Sequence, residues 1–406
     1  MDKTKGELLQ EELLFKQENG TTRLSDEEID KAYAFAEDYK KFMDAAKIEI
    51  EAVKEAIKLL EANGYHEFER GRKYLPGERF YYNNRGKSLI FGTMGTRPIE
   101  KGVKILAAHV DSPRLDLKPN PLFEEAELGF LRPHYYGGIK KYQWTALPLA
   151  IHGTVLTESG GRVDVRIGEE EGDPVFFISD LMPHIAKDQY DKKLGDAING
   201  EGLNIINGSL PLGEGSDAVK LRVLALLHEK YGIAEADLRT AELSAVPAQK
   251  AVDVGFDASM IAAYGQDDRV CAYTSLLAML GMDTPKHTSC CLFTDKEEIG
   301  SVGATGMQSR FFENAVAELL DAMGCYSDLR LRRTLKNSSM LSSDVSAGYD
   351  PAYGEAFEKK NAAYLGRGIV LNKFTGARGK SGSNDANAEY VARVRNIFDS
   401  HEVAFQ

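Results

Sequence analysis

Apolar residues recur at the spacing of an α-helix along a stretch near the N terminus of this chain. The repeating positions are Tyr33, Ala36, Phe42, Met43, Ile50, Val53, Ile57 and Leu60. Ser25 and Glu28 precede them with the spacing of a capping box, in which each side chain accepts a hydrogen bond from the backbone of the other residue. Gly64 follows the last apolar position. The pattern predicts one long amphipathic helix between Ser25 and Gly64 that packs against a core or a partner.

Two apolar runs then indicate buried strands, and the texture of the sequence changes after them. The runs are residues 88–94 and 103–109, separated by a turn rich in glycine, proline and charge. From residue 113 to residue 254 short strand-like runs alternate with glycine-containing loops, and one helix is predicted near residues 217–231. This segment is therefore predicted to be a compact, mainly β insert.

Helix and strand alternate again after residue 255. Helices are predicted at 268–280, 308–323 and 385–400, and strands at 288–294 and 368–371. Such alternation is typical of an α/β fold, in which helices cover both faces of a mostly parallel sheet and functional residues lie where strands end. We expect residues 1–112 and 255–406 to form the two parts of this domain, interrupted by the insert at 113–254.

Net charge and the lack of long apolar runs bear on where the protein acts. The formal charge is -12 over 406 residues, whereas a protein that binds nucleic-acid phosphates needs a basic face. No apolar run approaches the roughly 18 residues of a membrane span, and the N terminus lacks the basic and apolar segments of a secretory signal. We therefore expect a soluble cytoplasmic protein without a nucleic-acid or membrane partner.

A histidine and an aspartate stand at the end of the second predicted strand. The strand period of two places His109 and Asp111 on the same side. Asp111 could then accept a hydrogen bond from one imidazole nitrogen of His109 and leave the other free for a metal ion. Taken alone, this pair is also explained by an ordinary strand-end histidine bonded to a local aspartate.

Four more candidate carboxylates, Asp267, Glu297, Glu298 and Asp344, follow at predicted strand or loop edges. Asp267 and Asp268 precede a helix, where Asp268 is the better candidate for a helix cap and Asp267 for a bridge between two cations. Glu297 and Glu298 are adjacent and would point in different directions, so that one could bind metal while the other takes a proton. Asp344 stands among small residues that leave room for a cavity.

The combined set is more informative than any of its members. It supplies one imidazole and several carboxylates, while the four cysteines contain no Cys-x-x-Cys pair and are read as reduced core residues. Hard oxygen ligands with one imidazole suit a catalytic site for Zn²⁺, Co²⁺ or Mn²⁺ better than a structural zinc site.

Four motifs of the chain resemble those of the aspartyl aminopeptidase family, in the same order and at similar separations. They are His109-Val110-Asp111-Ser112-Pro113-Arg114, Gln266-Asp267-Asp268-Arg269, Asp295-Lys296-Glu297-Glu298-Ile299-Gly300-Ser301 and Ser343-Asp344. The resemblance implies a zinc exopeptidase-like α/β domain interrupted by a β-rich dimerisation domain, which is here the insert. It also implies two divalent metal ions per chain and assembly into a dodecamer. Zinc is the first candidate for these ions, with cobalt or manganese as alternatives.

The resemblance further implies a role for each residue of the set. His109, Asp267 and Asp344 would hold one metal ion, and Asp267 and Glu298 the other. Glu297 would be the general base, and Asp111 the hydrogen-bond partner of His109. The implied reaction is the removal of the N-terminal residue of a peptide by a metal-activated water.

An acidic N-terminal residue is the substrate that the resemblance implies, and it requires a cation in the specificity pocket. Lys373, Arg378 and Lys380 are the candidates, with a solvated basic loop as the alternative. His184 lies in the insert, where the family can reach into a neighbouring active site, and a plain surface histidine is the other interpretation.

One feature of the family is missing from this sequence. The second metal of the family takes a histidine from near the C terminus, and His401 is not a convincing substitute for it. We expect either that the natural protein is longer or that the second metal binds weakly. Two other interpretations follow: a catalytically silent assembly protein of the same fold, and a related metal-dependent amidohydrolase.

Overall fold

The computed structural model describes residues 3–15, 17–375 and 384–406. The helices of these residues are α1 Lys5–Leu13, α2 Asp26–Ala45, α3 Glu49–Ala62, α4 Lys187–Tyr190, α5 Leu194–Ala197, α6 Ala218–Tyr231, α7 Gln266–Leu280, α8 Phe311–Ala322, α9 Asp328–Asn337 and α10 Ala388–Ser400. None of the helices in this described part combines the length and apolar character needed to cross a bilayer.

The strands of the described residues fall into two six-stranded sheets and two short hairpins. They are β1 His66–Glu67, β2 Arg79–Asn84, β3 Ser88–Thr93, β4 Lys104–His109, β5 Arg114–Glu125, β6 Leu128–Tyr136, β7 Leu149–Leu156, β8 Arg162–Ile167, β9 Ile205–Gly208, β10 Glu242–Pro247, β11 Val252–Val254, β12 Met260–Ala262, β13 Ser289–Thr294, β14 Ser339–Ser342, β15 Phe374–Thr375 and β16 Asn384–Asp385. The chain folds into two compact units, residues 37–344 and residues 1–36 with 345–406.

The long helix predicted from the N-terminal pattern is two helices, so that prediction was wrong in its length. Its start is confirmed, because Ser25 and Glu28 form the capping box that begins α2. The break between α2 and α3 comes at Lys47, which is only 2% exposed and forms an ion pair with the buried Glu169. The Glu51 side chain accepts the Lys47 backbone N–H at 3.0 Å and caps the start of α3.

The first sheet has the strand order β1-β2-β3-β13-β4-β14. Strand β4, next to the edge strand β14, is parallel to both β13 and β14, while β3 is antiparallel to both of its neighbours. The register pairs Thr294 with His109, so the carboxyl ends of β13 and β4 are level. The strand predicted at residues 368–371 does not form, because this segment makes only one isolated bridge, between Ile369 and Phe405.

Helices cover both faces of the first sheet. On one face α2, α3 and α7 pack on alternate strand residues, among them Phe91, Cys291 and Phe293. On the other face α8 and α9 pack on the residues between them, among them Ile90 and Cys290. Burial of apolar side chains on both faces stabilises the layered α/β arrangement. The predicted fold class is confirmed, and the four cysteines are free thiols.

The second sheet lies within residues 114–247 and has the antiparallel order β8-β7-β10-β5-β6-β9. Its core contains Trp144 and is covered by residues of α6. The chain enters this sheet at Arg114, five residues after β4 ends at His109. The insert bounded at 113 and 254 therefore corresponds to a β-rich region, and its definition as a separate domain stays a prediction.

The smaller unit contains α1, the N-terminal part of α2, the β15–β16 hairpin and α10. Asn387 caps α10, because its side chain accepts the backbone N–H of Tyr390 at 3.0 Å. His401 follows α10 as its C-cap residue and is exposed.

Candidate metal centre

His109 is the buried centre of the candidate site. Its ring is only 3% exposed. The Nε2 atom lies 3.0 Å from Asp267 Oδ1 and 3.8 Å from Asp344 Oδ1. The register of β14 against β4 pairs Ser342 with Ala107, so two residues further Asp344 comes level with His109. Parallel strands thus bring together groups that are distant in sequence.

Asp267 lies in the first turn of α7, where its backbone and that of Asp268 are not helical. Gly265 is the N-cap of α7 and has a φ of +79°, and a Cβ there would overlap Nη1 of Arg269. Only glycine therefore fits under the buried Arg269 guanidinium. Ser112 Oγ donates a hydrogen bond to the Asp267 carbonyl oxygen at 2.7 Å, which ties this turn to the segment that follows β4.

Asp111 is fully buried and links His109 to the glutamate pair. Its carbonyl oxygen lies 3.0 Å from His109 Nδ1 and its carboxylate Oδ1 lies 3.4 Å away. The carboxylate also accepts the backbone N–H of Glu297 at 3.1 Å and that of Glu298 at 3.2 Å. The predicted contact between His109 and Asp111 is therefore present, and it is made more closely by the backbone oxygen than by the carboxylate.

Glu297 and Glu298 lie in a 3₁₀ turn that follows β13. Lys296, just before the turn, has the left-handed backbone conformation and turns the chain back towards the sheet edge. Glu297 is exposed and Glu298 is half-buried. Burial, helped by the negative charge of Asp267, raises the pKa of Glu298 to about 7. Partial desolvation of Glu297, with the negative charges of Asp344 and Asp111, also raises its pKa.

The electrostatics of the cluster fit a bound cation. Burial would lower the pKa of His109, but its hydrogen bonds with Asp111 and Asp267 outweigh that and raise it to about 11. Asp268 is fully buried, and neither of its carboxylate oxygens has a hydrogen-bond partner in the described residues. Burial raises the pKa of Asp268 to about 7. An excess of buried negative charge of this kind requires a positive ion or protons.

Two overlapping groups of side chains could supply the ligands. His109, Asp267 and Glu298 form one group, and His109, Asp268 and Asp344 the other. The ligand atoms of each group lie within 4.8 Å of one another. Imidazole and carboxylate donors suit Zn²⁺ and similar divalent ions. Asp267 and Asp344 have side chains that are 53% exposed, so the site is open to a substrate.

The structure thus brings most of the candidate residues together, while their individual roles stay predictions. They are His109, Asp111, Asp267, Glu297, Glu298 and Asp344. Lys373 belongs to the smaller unit and is exposed, with its Nζ 5.3 Å from the ring centre of Phe374. Arg378 and Lys380 lie outside the described residues. His184 is exposed in a short 3₁₀ turn, Pro183–Ile185.

Sequence reasoning missed two residues of the site. Asp268 was interpreted as a helix cap, but Gly265 holds that position and Asp268 is buried behind His109. Tyr136 donates its hydroxyl to Asp111 at 2.7 Å and had no signal in the sequence, because it comes from a hairpin of the second sheet. The only hint for Asp268 in the sequence is that it is acidic and directly follows the candidate ligand Asp267.

Known proteins resemble this chain over nearly its whole length. The family model described as aminopeptidase I zinc metalloprotease (M18) matches residues 42–406. A Clostridium acetobutylicum protein named probable M18 family aminopeptidase 1 is 51% identical over 401 residues, which are 97% of this chain and 86% of that protein. A Thermotoga maritima protein of the same name is 43% identical over 375 residues, 92% of this chain and 82% of that protein.

Solved structures show the same similarity. The M18 aminopeptidase of Thermotoga maritima superposes with a TM-score of 0.91 at 41% identity, covering 97% of this chain and 86% of that one. Aminopeptidase I of Clostridium acetobutylicum superposes with a TM-score of 0.89 at 47% identity, covering 97% of this chain and 87% of that one. The mApe1 dodecamer of S. cerevisiae superposes with a TM-score of 0.73 at 22% identity, covering 92% of this chain and 84% of that one. This chain therefore shares its fold.

Proposed function

This chain belongs to the aminopeptidase I (M18) family of zinc metalloproteases, and we propose that His109 and the acids around it form its catalytic metal centre. It is a metal-dependent aminopeptidase. The observation that carries the location of the centre is the pair of ligand groups that share His109 within 4.8 Å. No other group of three ligand-type side chains at that spacing occurs in the described residues.

Two divalent ions, zinc in the first place, are the proposed cofactors. His109, Asp267 and Asp344 would hold one ion, and Asp267 and Glu298 the other. The position of Asp268 supports it as a further ligand or close neighbour of the first ion, because both of its oxygens are buried and neither accepts a hydrogen bond from another described residue. The surplus of carboxylates over the single imidazole supports more than one cation, since one divalent ion would leave several acids unneutralised.

Glu297 is the proposed general base. When bound, divalent ions at this site would acidify a water molecule and polarise the scissile carbonyl. Glu297 is exposed at the rim of the cluster and its backbone N–H is held by Asp111, so its carboxylate is positioned but not needed as a ligand. Partial desolvation and the negative charges of the neighbouring acids raise its pKa, which makes the carboxylate a better proton acceptor. Glu297 would take the proton of the attacking water and return it to the leaving amine.

A peptide with an acidic N-terminal residue is the proposed substrate, on the strength of the aspartyl aminopeptidase motifs. Its side chain would require a cation from the segment that contains Lys373, Arg378 and Lys380. A panel of otherwise identical peptides beginning with Asp, Glu, Leu or Lys tests this preference. A higher kcat/KM for Asp and Glu supports it, and equal values or a preference for Leu would contradict it. Acetylated N termini should block cleavage, and their hydrolysis would favour an amidohydrolase.

Replacement of Glu297 by Gln tests the catalytic assignment. We expect kcat to fall by about 10²–10⁴-fold, while the bound metal per chain stays unchanged, because a base is lost but no ligand. Glu67→Gln is the matched control, since Glu67 is an exposed glutamate of the short edge strand β1. A kcat of Glu297→Gln within threefold of the unmodified enzyme, or cleavage that persists after complete removal of metal by a chelator, would contradict the assignment.

Self-association through the insert is also proposed. Leu221 and Leu226 on α6 are 52% and 55% exposed, so this helix offers apolar surface that a second chain could cover. The fold is shared with a dodecameric relative. Light scattering should give the mass of twelve chains, and Leu221→Glu with Leu226→Glu should lower it. A monomer at micromolar concentration would contradict the proposal.

A further inference from the structure

The end of β6 brings the second sheet against the metal centre. Arg114 pairs with Tyr136 in the β5–β6 register, so the end of this hairpin lies beside the segment that leaves β4. Tyr136 is only 7% exposed and donates its hydroxyl to Asp111 Oδ2 at 2.7 Å. The next residue, Gly137, approaches the glutamate turn so closely that an added Cβ would lie 3.2 Å from Cβ of Glu298.

The ring of Tyr136 is held by a buried ion-pair network. The Arg114 guanidinium lies 4.3 Å from the ring centroid. Arg114 is in turn fixed by Glu49 at 2.9 Å and by Asp116 at 2.7 Å. A cation over the ring and two carboxylates behind it leave the ring little freedom to rotate. This packing aims the hydroxyl at Asp111.

The Tyr136 hydroxyl is one of four groups around the buried Asp111 carboxylate. Its Oδ2 accepts from Tyr136 and from the Glu298 N–H, and its Oδ1 accepts from the Glu297 N–H and faces His109 Nδ1. Burial and the charge of Asp111 raise the pKa of Tyr136, so the hydroxyl keeps its proton and remains a donor. Loss of the donor would leave a buried carboxylate oxygen short of a charge-assisted hydrogen bond.

We propose that Tyr136 is a positioning residue of the metal centre, which acts through Asp111 to fix both His109 and the Glu297–Glu298 turn. The second sheet would thereby contribute to cation affinity and turnover without touching the cations. This inference rests on the ligand assignment proposed above. Groups that orient metal ligands typically change metal affinity or activity by about 10–100-fold when they are removed.

The test is Tyr136→Phe in the full-length enzyme, which removes only the hydroxyl. Zinc affinity is measured by competition with a chromophoric chelator, and kcat and KM by peptide hydrolysis. We expect zinc affinity to fall by about 10–100-fold and kcat to fall at limiting zinc, with KM within threefold. Tyr81→Phe is the matched control, because Tyr81 is also buried and donates to Glu61 Oε1 at the same 2.7 Å. It should leave zinc affinity within threefold.

A double-mutant cycle with Asp111→Asn separates positioning from a general loss of stability. If Tyr136 acts through Asp111, Tyr136→Phe should have less than a twofold further effect on zinc affinity in the Asp111→Asn background. Equal zinc affinities for Tyr136→Phe and Tyr81→Phe, or a full additional loss in the Asp111→Asn background, would overturn the inference alone. Unchanged zinc affinity in Asp111→Asn itself would overturn both the inference and the ligand assignment.

Discussion

Glu169 is the centre of a buried ion cluster that joins the start of α3 to the second sheet. Its carboxylate is fully buried and lies 2.7 Å from Lys47 Nζ, 3.0 Å from Lys250 Nζ and 3.1 Å from His152 Nε2. The other ring nitrogen of His152 lies 2.8 Å from Glu51. Replacing Glu169 by Gln keeps the shape of the side chain but leaves two lysines and a histidine without their shared anion. We therefore predict a large loss of stability.

The magnitude follows from the pKa of Glu169. Burial alone would raise this pKa, but the hydrogen bonds from His152 and Lys47 lower it from 4.5 to about 2. That difference corresponds to about 3 kcal/mol of unfolding free energy at pH 7. Because the pKa is lowered on folding, the stabilisation is complete above pH 4.5 and is lost as the pH falls towards 2. Removing one partner of a buried ion pair typically lowers the free energy of unfolding by about 3–5 kcal/mol. The value from the pKa of Glu169 agrees with the lower end of that range.

The single tryptophan of the chain provides the assay. Trp144 is 7% exposed in the core of the second sheet, so its fluorescence reports the unfolding of that sheet. Urea unfolding of Glu169→Gln at pH 7 should show a loss of about 3 kcal/mol. The difference from the unmodified protein should shrink below pH 4.5, since the carboxylate is then protonated in the unfolded chain.

An exposed ion pair of the same sheet is the control for this prediction. Asp164 on β8 lies 3.1 Å from Lys54 Nζ with its side chain 53% exposed. Asp164→Asn should cost less than about 1 kcal/mol, because solvent screens such pairs. The reasoning about Glu169 would be refuted by a loss below about 1 kcal/mol at pH 7, or by a loss that does not change between pH 7 and pH 3.

Three further predictions concern the metal centre. Removal of metal with a chelator should lower the thermal unfolding temperature measured by calorimetry, because the acids around His109 then repel one another. Added zinc should restore that temperature. An unchanged unfolding temperature would contradict a cation at this site. Asp268→Asn should stabilise the metal-free protein in urea unfolding, because it removes a carboxylate whose burial raises its pKa to about 7, and it should weaken zinc binding by about tenfold. A less stable metal-free protein would speak against this. Gly265→Ala should lower the free energy of unfolding in urea by more than about 2 kcal/mol, because the φ of Gly265 is positive and the new methyl group would displace Arg269. A near-neutral effect would contradict this prediction.

The sequence was most informative where local pattern and sheet geometry agree. Apolar runs predicted β3, β4 and β13, and their polar ends placed His109 and the glutamate pair at one edge of a sheet. Parallel pairing then brings such strand ends together, whatever their separation in the chain. The principal candidates could be found in this way, because each follows a strand or begins a helix.

The sequence was uninformative where distant parts of the chain decide a residue's environment. Lys47 interrupts the long apolar pattern because its partner Glu169 lies 122 positions later and buries it. Asp268 looks like any acidic residue at a helix start, and only the packing of His109 and Asp344 around it shows that it is buried. Tyr136 gives no sign of its role, since its hydroxyl reaches Asp111 only through the β5–β6 pairing.

A crystal structure of the enzyme with zinc, with anomalous data collected at the zinc absorption edge, tests the location of the metal centre most directly. We expect two anomalous peaks, with His109 Nε2 and a carboxylate oxygen of Asp267 at bonding distances of about 2.0–2.2 Å. Asp344 should contact one of the two ions and Glu298 the other. Zinc bound elsewhere in an active enzyme, with no peak beside His109 and Asp267, would contradict the account.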